Sequence, residues 1–372
     1  MTGALEDFEN EIADEKEVLA TDIVISRLKD DLRLARARAN AAERRASDAE
    51  RYREALFDLR DQAEIILPKW MEQPEIVEDR APRVPVLVTS DFQWGERVDA
   101  DNMDGLNEYN IEVAERRYKT LINKTLDICF NQLRPSIYDG IVMLRLGDTI
   151  SGEIHADLRE SNVLQAIPAV KSVVESEAWG IRFLADTFHK VHVISVAGNH
   201  GRTTLKTQAK RGGADNFDTL ASWWLESIFE GDDRVTFQTP ASPDAVFTLH
   251  GRRYLATHGD RIGSRGGQGF IGPAATIMRG MKRTHDTYAK MGMPISKMFV
   301  GHFHQSYDLG YGWCNGSLPG YSEYARDGRM TPEAPLQWLI MFHPEYGAVS
   351  QWPVMTDPDP VAKLQAPVPF GA

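Results

Sequence analysis

The chain has 372 residues, of which 42% are hydrophobic and 26% are charged, and its formal net charge is −12. This much apolar sequence can form at least one sizeable core, which excludes a wholly disordered chain. The acidic balance excludes binding to nucleic acid or anionic membranes through an overall positive field. The only two cysteines, Cys129 and Cys314, are predicted to be ordinary core thiols, which indicates a reducing cytoplasm rather than a disulfide framework.

Residues 1–67 are predicted to form a long helical arm. Ala, Glu, Arg and Leu dominate this segment, no proline occurs in it, and a seven-residue spacing of Leu and Ala begins at Leu28. The pattern favours a coiled coil that joins two copies of the chain, and the alternative is a solvated helix docked on its own domain. The acidic start of the sequence and the lack of an apolar run of roughly 20 residues predict neither a signal peptide nor a membrane span.

Residues 68–85 carry four prolines and are predicted to be a linker. Short apolar runs then alternate with longer amphipathic stretches, which predicts an α/β domain over residues 86–356, followed by an extended tail over 357–372. The predicted strands cover residues 84–90, 140–146, 191–197, 254–257, 297–300, 336–342 and 349–354. The predicted helices cover residues 106–133, 161–188, 217–229 and 273–291.

Five of the predicted strands end in side chains that can bind a metal. The blocks are Asp91-Phe92-Gln93, Gly147-Asp148, Gly198-Asn199-His200, His258-Gly259-Asp260 and Gly301-His302-Phe303-His304. Ligands collect at the carboxyl ends of strands in open α/β sheets, so these blocks are expected to meet. Carboxylate, amide and imidazole donors suit Mn²⁺, Fe or Zn²⁺. The donors are too many for one ion, so we expect two ions roughly 3.5–4 Å apart that share the Asp148 carboxylate.

The five blocks resemble the calcineurin-like metallophosphoesterase superfamily, and they follow one another in the family order over residues 91–304. The stretches GDTISGEIH, GNHGRTT and NGSLPGY are similar to bacteriophage-encoded members, and double-strand-break repair nucleases belong to the same superfamily. The resemblance implies a four-layer α/β/β/α sandwich preceded by the helical arm, in the host cytoplasm if the chain is phage-encoded. It also implies two divalent ions, with Mn²⁺ expected first and Fe, Zn²⁺, Ni²⁺ or Mg²⁺ as alternatives.

The resemblance also implies a role for each site residue. The first metal would be held by Asp91, Asp148 and His304, with Gln93 at a position where the family usually has histidine. The second metal would be held by Asp148, Asn199, His258 and His302. His200 would be the catalytic histidine that serves the leaving group. Gly201-Arg202 stands where an acidic residue often follows in the family, which removes the usual carboxylate partner of His200.

A hydroxide bridging the two ions would attack phosphorus while His200 donates a proton to the departing oxygen, with Asp148 as the shared catalytic ligand. The predicted substrate contacts are Arg202, His155, Arg261 and Lys206. Basic residues recur over 202–211, 252–265 and 279–290, a pattern typical of contact with a nucleic-acid backbone. Residues 1–70 hold 17 acidic and 12 basic side chains, so much of the net negative charge lies away from these segments.

Three functions remain open from the sequence. The first is a phosphodiesterase or nuclease that acts on DNA or RNA. The second is a phosphomonoesterase, a protein phosphatase or a phosphodiesterase of small or cyclic nucleotides. The third is a non-catalytic scaffold with a degenerate site, which the presence of Gln93 supports. The sequence leaves open the physiological substrate, the cleavage polarity, the metal identity and the oligomeric state.

Overall fold

The computed structural model of the protein describes residues 68–72, 83–133, 138–154, 156–204, 206, 212–262 and 272–357, together with residue 36. The chain divides into two units, Met1–Ile66 and Leu67–Ala372, and both sheets belong to the second unit. The predicted coiled coil, the dimerisation through it, and residues 358–372 of the tail lie outside the described residues.

The first sheet has six strands in the order β11-β10-β1-β2-β3-β4. Its strands are β1 (Val84–Thr89), β2 (Ile141–Arg145), β3 (Val191–Ser195), β4 (Val235–Gln238), β10 (Leu336–His343) and β11 (Gly347–Met355). Strands β1 to β4 run parallel, with Val86 opposite Val142 and Val142 opposite His192, whereas β10 and β11 are antiparallel. The loops after β1, β2 and β3 therefore leave the sheet at the same edge.

The second sheet has five strands in the order β5-β6-β7-β9-β8. Its strands are β5 (Asp244–Leu249), β6 (Arg252–Thr257), β7 (Lys297–Val300), β8 (Tyr307–Leu309) and β9 (Gly312–Cys314). Strands β6, β7 and β9 are parallel, and β5 and β8 are antiparallel to their neighbours. The parallel pair β6 and β7 thus places the residues after both strands at one edge.

The helices flank the sheets. They are α1 (Lys69–Glu72), α2 (Ile111–Asp127, continued by a π-helical turn over Ile128–Gln132), α3 (Ala156–Ser161), α4 (Ala166–Phe188), α5 (Phe217–Ile228), α6 (Gly272–Lys290) and α7 (Glu323–Asp327). The predicted single helix over 161–188 is wrong, since the chain is not helical between α3 and α4. Asn162 instead donates a side-chain hydrogen bond to the Gly152 carbonyl, and Pro168, which lacks an N–H, lies in the first turn of α4.

Successive side chains along a strand point to opposite faces of its sheet, and the buried apolar ones form three clusters. One face of the first sheet packs against α2, α4 and α5, where Leu87 and Met143 lie. The opposite face shares a core with the second sheet, to which Val86 and Phe299 belong. The outer face of the second sheet packs against α6, among the neighbours of Met298. The layers therefore follow the order helix, sheet, sheet, helix, as predicted.

The structure adds elements that the sequence patterns did not predict. Strands β4, β5, β8 and β9 are short, and none was predicted. The predicted linker over 68–85 includes α1, whose Trp70 and Met71 are buried, and the first residues of β1. Cys129 and Cys314 are buried free thiols, as predicted. None of the described helices combines the length and apolar character needed to cross a bilayer.

Candidate metal centre

The loops that carry the predicted ligands are joined by backbone hydrogen bonds. The N–H groups of Asp91 and Gln93 donate to the carbonyls of Gly147 and Asp148 at 3.0 and 3.1 Å, which joins the loops after β1 and β2. The Gly301 N–H donates to the His258 carbonyl at 2.7 Å, which joins the loops after β6 and β7. These bonds hold polar loops from each sheet in fixed register.

A side-chain contact links the two sheets at this edge. The Asp91 carboxylate accepts a hydrogen bond from the His302 N–H at 2.9 Å, so a loop of the first sheet is bound to a loop of the second. The close approach requires a glycine, because a Cβ atom at Gly301 would lie 2.5 Å from Asp91 Oδ2. A Cβ atom at Gly198 would likewise lie 2.1 Å from Asp148 Oδ1.

Several of the predicted ligands have an unusual backbone conformation. Nine non-glycine residues in the described part of the chain have a positive φ. Five of them are predicted metal ligands, namely Asp91, Gln93, Asp148, His302 and His304. Left-handed backbone is disfavoured for side-chain-bearing residues and is found where the surroundings hold a functional geometry in place. The strained positions therefore coincide with the ends of the strands at the predicted site.

Asp148 lies at the centre of the denser half of the site. Possible ligand atoms of Asp148, His258 and His302 all lie within 4.8 Å of one another. The Asp148 carboxylate is 3.0 Å from His258 Nε2, and that nitrogen is 3.1 Å from Asn199 Oδ1. His258 Nδ1 lies 2.7 Å from the Leu146 carbonyl oxygen, which assigns the donor role to Nδ1 and directs Nε2 at the site.

Asp91 lies at the centre of the second half, which is less complete. Its Oδ1 is 3.3 Å from His304 Nε2, but the contact lacks hydrogen-bond geometry. Among the described residues, neither Asp91 Oδ1 nor His304 Nδ1 has a hydrogen-bond partner, although both atoms are buried. Gln93 is buried as well, and its Nε2 donates a hydrogen bond to Asp148 Oδ2 at 3.5 Å.

The electrostatics of the two carboxylates are dominated by the histidines. Burial raises the pKa of Asp148, but the positive charges of His258 and His200 outweigh it and hold the pKa well below its usual value. Burial likewise raises the pKa of Asp91, and its interactions with His304 and His258 lower it overall. Both carboxyls are therefore ionised at neutral pH, as metal ligands must be.

The histidines differ among themselves. Burial lowers the pKa of His258, but the Asp148 carboxylate outweighs it and raises the pKa to about 10. Burial and the neighbouring charge of His258 lower the pKa of His302 to about 4. Burial lowers the pKa of His304 too, but its contact with Asp91 raises it overall. Without an ion, His258 is thus protonated beside Asp148 at neutral pH, and the raised pKa of His304 favours its protonated form beside Asp91.

His200 lies beside Asp148 at the edge of the site. Its Nδ1 lies 2.7 Å from the Ser151 carbonyl oxygen, and its Nε2 lies 3.9 Å from Asp148 Oδ2. The backbone N–H of His200 donates to Asp148 Oδ1 at 2.7 Å. The side chain is 19% exposed, in contrast to the buried His258, so a substrate could reach it.

The donor set fits divalent cations. Two buried, ionised carboxylates face imidazoles and an amide, and buried polar atoms without a hydrogen-bond partner, such as Asp91 Oδ1 and His304 Nδ1, remain on the Asp91 side. Such atoms are costly to bury unless a ligand satisfies them. Hard and borderline donors of this kind suit Mn²⁺, Fe or Zn²⁺.

Asp218 supports this site and was not predicted from the sequence. It is the second residue of α5, and its buried carboxylate accepts hydrogen bonds from the N–H groups of Asp148, Thr149 and Gly198 at 3.0, 2.9 and 2.8 Å. Asn216 caps the same helix and donates to the Gly198 carbonyl at 2.7 Å. The N-terminal end of α5 therefore fixes the loops after β2 and β3 relative to each other.

The predicted substrate contacts are only partly brought to the site. Arg202 donates to the Asn199 carbonyl at 3.3 Å, and thus lies beside a predicted ligand. Lys206 is exposed, and Arg261 lies 3.8 Å from the carboxylate of its neighbour Asp260. His155 lies outside the described residues.

The predicted basic segment over 252–265 does not face the site as a whole. Arg252 and Arg253 begin β6, whereas His258 follows its end, and six residues of extended chain span about 20 Å. Their side chains donate instead to the carbonyls of Glu345 and Pro294. Arg252 and Arg253 thus lie at the end of β6 opposite to His258.

No family model matches the chain, and no curated protein matches it. Among solved structures, the chain is similar to a conserved protein from Streptococcus pneumoniae described as a predicted phosphoesterase, with 12% identity and a TM-score of 0.26, over 73% of this chain and 98% of that chain. It is also similar to the sulfate thiohydrolase SoxB of Thermus thermophilus, with 11% identity and a TM-score of 0.28, over 78% of this chain and 61% of that chain.

Proposed function

We propose that this protein is a divalent-metal-dependent phosphoester hydrolase of the calcineurin-like type that cleaves phosphodiester bonds in DNA or RNA. The observation that carries the proposal is the convergence of two buried, ionised carboxylates with histidines from both sheets at one edge. The residues that would hold the ions are Asp91, Gln93, Asp148, Asn199, His258, His302 and His304. Ions bound there would lower the pKa of a water molecule and offset the charge of the phosphate.

The protein's own residues supply the proton and the orientation. His200 Nδ1 is bound to the Ser151 carbonyl, which leaves Nε2 as the ring nitrogen on the side of Asp148. A protonated His200 can donate from Nε2 to the departing oxygen. Asp218 holds the loops of Asp148 and His200 in register through the backbone.

The experiment is a comparison of substrates with the purified full chain. Labelled single-stranded DNA, double-stranded DNA and RNA are incubated with Mn²⁺ or with EDTA, beside bis-p-nitrophenyl phosphate and p-nitrophenyl phosphate. We expect Mn²⁺-dependent cleavage of the diesters and of a nucleic acid. Activity on the monoester alone would overturn the nuclease assignment. A chain without bound metal and without activity on any ester would instead support a scaffold.

We also propose a second copy of the chain as a partner. The heptad spacing of Leu and Ala after Leu28 supports it. Light scattering on the full chain measures the mass directly, and a monomer at micromolar concentration would contradict it.

A further inference from the structure

A cleft of about 460 Å³ adjoins the segment that carries His200. Three stretches line it: the loop after β2 at Glu153 and Ile154, the region from α3 to the start of α4, and the chain that follows His200 from Arg202 to Thr204. Phe217, the first residue of α5, completes the lining. The proposed metal ligands do not take part in it.

Two segments of the cleft lining lie next to His200. Glu153 follows Ser151 and Gly152; the Ser151 carbonyl is hydrogen-bonded to the His200 ring, and a Cβ atom at Gly152 would lie 2.1 Å from the His200 carbonyl oxygen. Arg202, on another side of the cleft, follows His200 by two residues. The cleft therefore lies beside the loop of His200, the residue proposed to protonate the leaving group.

The lining combines positive charge with apolar surface. Two arginines, Arg159 and Arg202, and one acidic residue, Glu153, line the cleft. The guanidinium groups donate to backbone carbonyls, that of Arg159 to Glu153 and that of Arg202 to Asn199 and Thr204. The Glu153 carboxylate is already engaged, because its Oε1 accepts a hydrogen bond from the Ala166 N–H at 3.1 Å. Ile167 is 74% exposed and adds apolar surface to the lining. Such a lining suits a group that has both an anionic part and a flat apolar ring.

We propose that this cleft binds the leaving-group side of the scissile phosphodiester, as a nucleotide whose base contacts Ile167 and Phe217 and whose next phosphate faces Arg159 and Arg202. The proposal rests on the proposed function. A volume of this size lies within the range of pockets that bind small molecules, about 300–1,000 Å³, and exceeds what a small leaving group fills. The cleft thereby selects a strand of nucleic acid over a simple phosphate ester.

The chemical step balances without a further reactant. The oxygen of water forms a bond to phosphorus, and the bond between phosphorus and the leaving oxygen breaks with its electron pair. The leaving oxygen takes the proton of His200 Nε2, and the proton lost by water restores His200. The products are a phosphomonoester on one side and a nucleotide with a free hydroxyl in the cleft on the other.

Because some residues of the cleft are exposed, they can be substituted without disrupting the fold. Ile167→Asp and Arg159→Gln are compared with Ile228→Asp and Lys171→Gln, which change similar exposed side chains outside the cleft. We expect the cleft variants to lower kcat/KM for a short oligonucleotide by about tenfold, which is a loss of about 1.4 kcal/mol. Hydrolysis of bis-p-nitrophenyl phosphate should fall less than hydrolysis of the oligonucleotide, because its leaving group carries no further phosphate to face Arg159. The controls should match wild type on both substrates.

A binding measurement complements the kinetics. Calorimetric titration of the metal-free protein with adenosine 5′-monophosphate should show weaker binding in Ile167→Asp and unchanged binding in Ile228→Asp. Equal losses on both substrates, or no loss on either, would overturn the cleft proposal alone. A wild-type protein active on bis-p-nitrophenyl phosphate but not on the oligonucleotide would also overturn it. A wild-type protein inactive on every ester would overturn the proposed function itself.

Discussion

The two halves of the candidate site differ in how complete they are without ions. In the half around Asp148, the side chains of His258 and His302 lie close together, and the Asp148 carboxylate already accepts hydrogen bonds. Around Asp91, one carboxylate oxygen and one nitrogen of His304 are buried without a hydrogen-bond partner among the described residues. The difference indicates that the Asp148 half is organised by the fold, whereas the Asp91 half is completed by what it binds. We therefore expect the Asp148 half to bind the first ion more tightly.

Removing the Asp148 charge should have the largest effect, because this carboxylate is proposed to serve both ions. Asp148→Asn should lower kcat/KM for bis-p-nitrophenyl phosphate by on the order of 10³-fold. Plasma mass spectrometry should show loss of both ions, whereas Asp91→Asn should lose only one. One retained equivalent in Asp148→Asn would show that the halves are independent, and two would show that neither ion needs the Asp148 charge.

His200→Ala should come next in effect, since a general acid contributes about 10²- to 10³-fold to turnover. Metal content should stay close to wild type in both halves, as His200 is proposed to donate a proton and not to hold an ion. The loss should be smaller for p-nitrophenyl esters than for nucleic acid, because p-nitrophenolate leaves without protonation. Loss of metal in this variant would reassign His200 as a ligand.

Asp218→Asn tests whether the order of the Asp148 half comes from α5. The substitution keeps the shape of the side chain but removes an acceptor from the three N–H groups that Asp218 binds. Metal affinity at the Asp148 half should fall about 10- to 100-fold, as for other residues that orient ligands. Affinity at the Asp91 half should fall less, because Asp218 makes its hydrogen bonds to the loops of Asp148 and Gly198. An equal loss in both halves would indicate general destabilisation.

Metal binding to the Asp148 half should depend on pH. His258, with its pKa raised to about 10, is protonated at pH 7 in the metal-free protein and must lose a proton to bind an ion. The apparent affinity should therefore rise about tenfold per pH unit between about pH 6 and 8. His302, with its pKa lowered to about 4, is already neutral there and adds no dependence. Calorimetric titrations at several pH values give the slope, and a flat profile would contradict the protonation state.

The same shift affects folding without metal. The contact with Asp148 that raises the pKa of His258 also stabilises the folded metal-free protein. This stabilisation is complete below pH 6.5, the usual pKa of His258, and is lost as the pH rises through about 10.

Gln93→His should have the smallest effect and should act on the Asp91 half. An imidazole binds transition metals better than a neutral amide, so the weaker ion should bind roughly tenfold more tightly, or about 1.4 kcal/mol. Gln93→Ala is the matched control and should weaken the same ion. If both substitutions leave its affinity unchanged, the side chain at position 93 is not a ligand.

The sequence predicted the layers of the fold, and the candidate ligands follow the strands as the sequence pattern indicated. Buried parallel strands are near-continuous apolar runs, and chemistry collects at their carboxyl ends, so Asp91, Asp148 and His258 could be found from the strands alone. Strands β8 and β9 were missed because three residues are too few to show a period.

Other features depend on contacts between distant parts of the chain. Asp218 lies 70 residues from Asp148 and looks like an ordinary acidic residue at a helix start. Arg145 and Glu177 form a buried ion pair with two hydrogen bonds, between β2 and α4, that no local pattern indicates. Pairing of this kind is set by packing and not by spacing along the sequence.

The left-handed backbone at the strand ends restricts which amino acids can occupy the site. Asp, Asn and His tolerate a positive φ better than most side chains, and they are also residues that bind metals. Asn or Gly at Asp91, Asp148 or His302 would therefore be compatible with the backbone, whereas Val or Ile would strain the loops. For the experimenter, Asp→Asn removes charge at these positions without adding backbone strain, and Asp→Val would confound the two.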